Sequence, residues 1–122
     1  MARVLIVDDT DIVRKALELA VRKMGHDAVS TSDALNALAL ACAQPPDLAL
    51  LDYRMPGMDG VTLFLEMRNH LGDRCPKVLF VSATPSEEVR AHTDERTRPV
   101  GYVKKPFHLD DLTRLVTEAL AA

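Results

Sequence analysis

Residues 4–9 read VLIVDD, four apolar residues that stop at two aspartates. The pattern recurs three times: Leu48 to Leu51 stops at Asp52, Val78 to Val81 at Ser82, and Tyr102 to Val103 at Lys104 and Lys105. Short runs of such continuous apolar character fit parallel strands buried on both faces. Segments of helical period lie between them, so strand and helix alternate from end to end. That alternation argues for an α/β fold, a parallel sheet with helices on both faces. Open sheets of this kind place their ligand site beyond the carboxyl ends of the strands. Three carboxylates, a hydroxyl and a lysine would meet there.

Working outward, Ile12, Val13, Ala16, Leu17, Ala20, Val21 and Met24 recur at three- and four-residue steps, predicting a helix over 11–24 that Gly25 stops. A short second strand is expected at 27–31. Ser32 is placed to cap a helix running through Ala43, which Pro45 and Pro46 end, and Cys42 falls on its apolar side as a core residue. A strand at 47–51 follows, then a helix over 60–71 with Val61, Leu63, Phe64, Leu65, Met67 and Leu71 as apolar positions. A strand at 77–81 leads to a helix start at Ser86 to Val89, with Glu87 and Glu88 near its positive end. Arg90 to Arg98 is mostly polar, so this helix is expected to be short or mobile. Pro99 to Lys104 reads as the fifth strand, and 109–120 as the last helix, with Leu112, Leu115, Val116, Ala119 and Leu120 inward.

A chain of 122 residues, 48% hydrophobic and 27% charged, fits one globular domain that buries roughly two thirds of its unfolded surface. Net charge is -3 and the basic residues are scattered, so direct nucleic-acid binding has little electrostatic support. No apolar run approaches the ~20 residues of a membrane span, and the run before Asp8 is too short for a signal peptide. Cys42 and Cys75 have no partners at metal-like spacing and read as reduced thiols. A cytoplasmic protein without membrane contact is expected.

Asp8 and Asp9 at one strand end and Asp52 at another suit magnesium, which wants hard oxygen ligands. Without a cation, three such carboxylates would repel one another. Taken alone, Asp8, Asp9 and Asp11 could simply decorate the start of the first helix; Asp52 and Lys105 make the metal reading the better one. From its place after an apolar strand, the Lys105 ammonium could reach a carboxylate or phosphoryl oxygen. At ~4 Å and an effective dielectric of ~20, that contact has a Coulomb energy of about 4 kcal/mol before desolvation. Lys104 reads as an ordinary solvated lysine.

Together VLIVDD, LLDYRMPGMDG, VSA and GYVKKPF, in that order, resemble the receiver domain of two-component response regulators over the whole chain. The most specific block is Asp52, Met55, Pro56, Gly57, Met58, Asp59 and Gly60. The resemblance implies a flavodoxin-like (βα)5 fold with strand order 2-1-3-4-5, and a phosphoacceptor domain over 1–122 with no output domain in this chain. It makes Asp52 the phosphoacceptor, with Asp9 binding Mg2+ directly, Asp8 acting mainly through a bound water, and the backbone carbonyl of Arg54 completing the set. It matches Ser82 to a hydroxyl switch, Lys105 to the lysine that pairs with the phosphoryl group, and Tyr102 to an aromatic that follows the switch; Ala83 leaves room for that movement. Arg54 and Thr84 match variable positions that tune phosphoryl lifetime. The implied role is phosphorelay signalling by a self-phosphorylating and self-dephosphorylating domain, not a conventional enzyme. A sensor histidine kinase or histidine phosphotransfer protein would supply the phosphoryl group. The face of helix four, strand five and helix five would carry the signal to a downstream protein or fused domain, with room for a phosphorylation-dependent dimer.

The segment RAHTDERTRPVGY departs from the family, where a small Ala/Gly-rich turn often precedes strand five. Other readings compete. Asp9 to Val13 fit the D-x-D-x-V signature of haloacid-dehalogenase-type phosphatases, but that family leaves LLDYRMPGMDG unexplained. An unphosphorylated receiver-like interaction module is a second alternative. A flavodoxin-type flavin site would need a phosphate-cradling loop where Asp8, Asp9 and Asp11 stand. His26, His70, His92 and His108 read as surface or structural residues, and Met55 and Met58 as packing residues.

Overall fold

In the computed structural model, which describes residues 1–122, the apolar runs become five parallel strands. They are β1 (Arg3–Val7), β2 (Asp27–Thr31), β3 (Leu48–Leu51), β4 (Lys77–Ser82) and β5 (Gly101–Lys104), in the order β2-β1-β3-β4-β5. Side chains alternate across a strand, so each run feeds two cores. Val4, Ile6, Leu48, Leu50, Leu79, Val81 and Val103 pack on one face against Leu17, Ala20 and Val21 of α1 (Asp11–Lys23) and Leu112, Val116 and Ala119 of α5 (Leu109–Ala121). Leu5, Val7, Ala49, Leu51, Val78 and Phe80 pack on the other against α2 (Ala34–Ala43) and α3 (Gly60–Leu71). Each fully buried side chain of this size contributes about 1.5–3 kcal/mol.

Several local expectations are corrected. The cap of α2 is Asp33, whose carboxylate accepts from the N–H groups of Leu35 and Asn36, and Ser32 lies one residue outside. Cys42 is exposed, not core. Its helix is apolar almost all round; the small residues Ala34, Ala37 and Ala41 face the sheet, and Leu35 and Cys42 face out. α1 is two-faced, and Ile12 in its first turn lies off the side that buries Leu17, Ala20 and Val21. The fifth strand starts at Gly101 instead of Pro99, because proline has no N–H to donate; the first bond here runs from Val100 N–H to the Val78 carbonyl at 2.8 Å.

The fourth helix, α4 (Ser86–Ala91), is short as expected, and Val89 is its one buried residue. The polar stretch after it is tied down. Asp94 caps a 3-10 turn, Glu95–Thr97, through a reciprocal pair of bonds with Thr97, which is itself buried. Arg68 of α3 donates to the Arg96 carbonyl at 3.2 Å, and Arg96 bonds Asn69. The residues that departed most from the family pattern thus dock on α3.

Candidate functional site

Register brings the acidic strand ends together. β1 and β3 pair with Val7 opposite Leu51, and the Asp52 N–H continues the ladder to the Val7 carbonyl at 2.9 Å. Asp8 N–H bonds the Thr31 carbonyl of β2 on the other side. Asp8 and Asp52 are therefore neighbours fixed by main-chain bonds, both buried, with Asp9 exposed above them. Ligand oxygens of all three lie within 4.8 Å of one another. Such a set of hard anionic donors fits a divalent cation such as magnesium, whose octahedral shell completes itself with water.

Lys105 enters from the end of β5, its backbone N–H bonded to the Ser82 carbonyl at 3.0 Å and its peptide bond to Pro106 cis. Its ammonium donates to Asp8 Oδ2 at 2.6 Å and Asp52 Oδ2 at 3.2 Å. One cation thus bridges two buried carboxylates, leaving the three-carboxylate cluster with net negative charge. Burial pushes the Asp52 carboxyl above the usual carboxylate range, and the Asp8 and Asp9 charges push the same way. Lys105 pulls it down without cancelling that rise.

The β3–α3 loop is shaped by two glycines. Gly57 has φ +82°, in the left-handed region that favours glycine. Gly60 opens α3 so close to the end of β3 that a Cβ there would collide with the Asp52 carbonyl. Asp59 caps α3 by accepting from Thr62 N–H at 2.8 Å, a bond worth about 1 kcal/mol. Met55 and Met58 are partly buried against the core, in the packing role expected of them.

Ser82 is buried at the end of β4, and its Oγ accepts from Thr84 N–H at 3.1 Å. Ser82, Thr84, Val89, Tyr102 and Lys104 share a cleft of about 200 Å³. Tyr102 is half-buried, with its ring stacked 6.0 Å from that of Phe80 and the Arg90 guanidinium 4.9 Å from its centre. Ala83 is exposed. Arg54 stands largely in solvent and pairs with Glu88 of α4 at 2.9 Å.

Asp8, Asp9, Asp52 and Lys105 therefore form one cluster, and Ser82 and Tyr102 meet in a neighbouring cleft. Sequence reasoning missed Glu88 as the partner of Arg54, Tyr53 as a buried residue stacked on His92, and Arg14 beneath the first loop. Arg14 could have been noticed from its i,i+3 spacing to Asp11.

A family model described as "Response regulator receiver domain" matches residues 4–117. The chain is 40% identical over 119 residues to the Regulatory protein AtoC of Escherichia coli K12, covering 97% of this chain and 25% of that protein. It is 29% identical to Sporulation initiation phosphotransferase F of Bacillus subtilis, covering 97% of this chain and 93% of that one. The Vibrio cholerae chemotaxis protein CheY4 superposes with a TM-score of 0.89 over 98% of both chains, a likeness of fold at 24% identity. AtoC and the regulators that follow it in similarity are longer proteins, of which this chain spans less than half. With the aspartate cluster, strand order and family match in agreement, the chain belongs to the response regulator receiver domain family.

Proposed function

We propose that this domain accepts a phosphoryl group on Asp52 from a phosphohistidine of a sensor kinase or phosphotransfer protein. The observation that carries the reading is Lys105, bonded at once to Asp8 and Asp52 from 97 and 53 residues away. An Asp52 carboxylate oxygen would attack phosphorus, the P–N bond would break, and the imidazole would leave with the electron pair and take up a proton. Burial works against the ionised Asp52 that this attack requires, and Lys105 works for it. In the product the Lys105 ammonium would pair with a phosphoryl oxygen, the modified side chain carrying about -1.5 to -2 of charge in place of the carboxylate's single negative charge. Magnesium, when held by Asp8, Asp9, Asp52 and the Arg54 carbonyl, supplies positive charge at the transferring oxygens.

In this reading the Ser82 hydroxyl would leave Thr84 N–H and turn to the new oxygens, Ala83 offering no bulk against that movement. Tyr102 shares the Ser82 cleft and carries Arg90 of α4 on its ring, so a move at Ser82 would reach the face made by α4, β5 and α5. That face would bind the downstream partner, a separate protein or a fused domain. Arg54 and Thr84 flank the site and would set how long the phosphoryl group survives. No helix is long and apolar enough to cross a membrane, and the reading places the domain in the cytoplasm.

The test is incubation with Mg2+ and a small-molecule phosphodonor, followed by intact mass measurement. Native protein gains one phosphoryl group, and Asp52→Asn gains none. Equal labelling of the two would move the nucleophile elsewhere, to Asp9 in the phosphatase alternative, and no labelling of native protein would sink the reading.

A further inference from the structure

The turn that carries Asp8 and Asp9 lacks its expected fastening. Thr10 occupies the N-cap of α1, yet its side chain makes no capping bond. The turn is held instead by Asp8 Oδ1, which accepts from Thr10 N–H at 2.9 Å, and by Arg14. One guanidinium nitrogen of Arg14 donates to the Asp8 carbonyl at 2.9 Å and the other to Asp11 Oδ1 at 2.5 Å. Its side chain is only 16% exposed.

A positive charge one helical turn from a cation site opposes the cation, so attraction is not the reason for an arginine here. Asp11 offsets that charge, and what remains is geometry: the planar fork joins the last residue of the strand edge to the first turn of the helix. We propose that Arg14 is a positioning residue for the magnesium site, holding the turn from which Asp8 and Asp9 reach the ion. The inference rests on the reading of these aspartates as magnesium ligands.

Its test is a titration of the unphosphorylated protein with Mg2+ alone, followed by calorimetry and by the backbone amide signals of Asp9 and Thr10. Arg14→Lys keeps the charge and loses the fork; Arg14→Gln loses both. Arg14→Lys is expected to bind Mg2+ about tenfold more weakly than native protein, the lower end of what outer partners contribute to metal affinity. Arg14→Gln should also bind more weakly, by a smaller factor, because removing the opposing charge returns part of the loss. Native affinity in Arg14→Lys overturns the proposal, whatever happens to its melting temperature. Tighter binding by Arg14→Gln beside a native-like Arg14→Lys would make the residue a charge and not a fastener, and also overturns it. If neither variant folds, Arg14 is a general stabiliser and the proposal falls. Absence of Mg2+ binding by native protein removes the metal reading itself, and the proposal with it.

Discussion

Main-chain ladder bonds run along the whole strand edge, β4–β5 included, but beside the β4–β5 half α4 meets Tyr102 only through side chains. Asp8 and Asp52 each stand one residue beyond paired strand positions, with ladder bonds to Thr31 and Val7. Across the sheet, Tyr102 is held by Phe80 on one ring and Arg90 on another element, and α4 has only Val89 in the core. A ladder bond has one geometry, whereas a stacked ring or an exposed ion pair can be exchanged for another at low cost. In the reading proposed above, the aspartate half would stay still and the α4 face beside Tyr102 would take the second arrangement.

The strongest challenge to this contrast is removal of the cation that joins the halves. Lys105→Met leaves Asp8 and Asp52 buried without their counter-charge and should cost about 2–3 kcal/mol in EDTA, somewhat below the ~3–5 kcal/mol of a fully buried pair. Urea denaturation checks the value, and adding Asp52→Asn to Lys105→Met should recover part of it by relieving the like charges. A loss under 0.5 kcal/mol would mean that the aspartate half does not depend on Lys105.

A smaller effect follows from the raised carboxyl of Asp52. In metal-free protein the folded state takes up this proton at a higher pH than the unfolded chain does. Stability therefore rises as pH falls through the folded value toward the ordinary range near 3.9, and is lower above it. Chemical denaturation in EDTA from neutral to mildly acid pH should show this contribution in native protein, and its absence in Asp52→Asn.

Smaller again is the response on the α4 side. Asp94→Ala removes the cap of the 3-10 turn at about 1 kcal/mol, which should appear as faster amide exchange over 95–97. Exchange across β1 and β3 should not change. A uniform rise over the whole chain would erase the distinction between the halves. The least effect concerns the thiols: Cys42 should react with a soluble thiol reagent well ahead of Cys75, whose thiol burial holds above the usual range.

The aspartate half was legible in the sequence for the same reason that it is buried and ladder-bonded. Where an apolar run stops, a parallel strand stops, so Asp8, Asp52 and Lys105 could be placed at one edge from local patterning alone. The strand order came with the resemblance, and the register supplied the bond lengths. Cys42 was misread because α2 is apolar around its whole circumference, and periodicity carries no contrast there. The stretch after α4 resisted reading because what holds it, Arg68 and Asn69 of α3, lies some 27 residues away in sequence. Cap position failed by one residue, between the adjacent cap formers Ser32 and Asp33, which only the backbone direction could separate.

The bond between Lys105 and Asp8 spans 97 residues and joins the ends of the first and last strands of this sheet in chain order. A nascent chain that has finished β1 and β3 carries every aspartate of the cluster and still lacks its ammonium. The same holds for a proteolytic fragment ending before residue 105, or a chain whose last strand has slipped out. Phosphoryl acceptance in the form proposed above would therefore report that the ends of β1, β3 and β5 have met, and copies lacking β5 would stay silent.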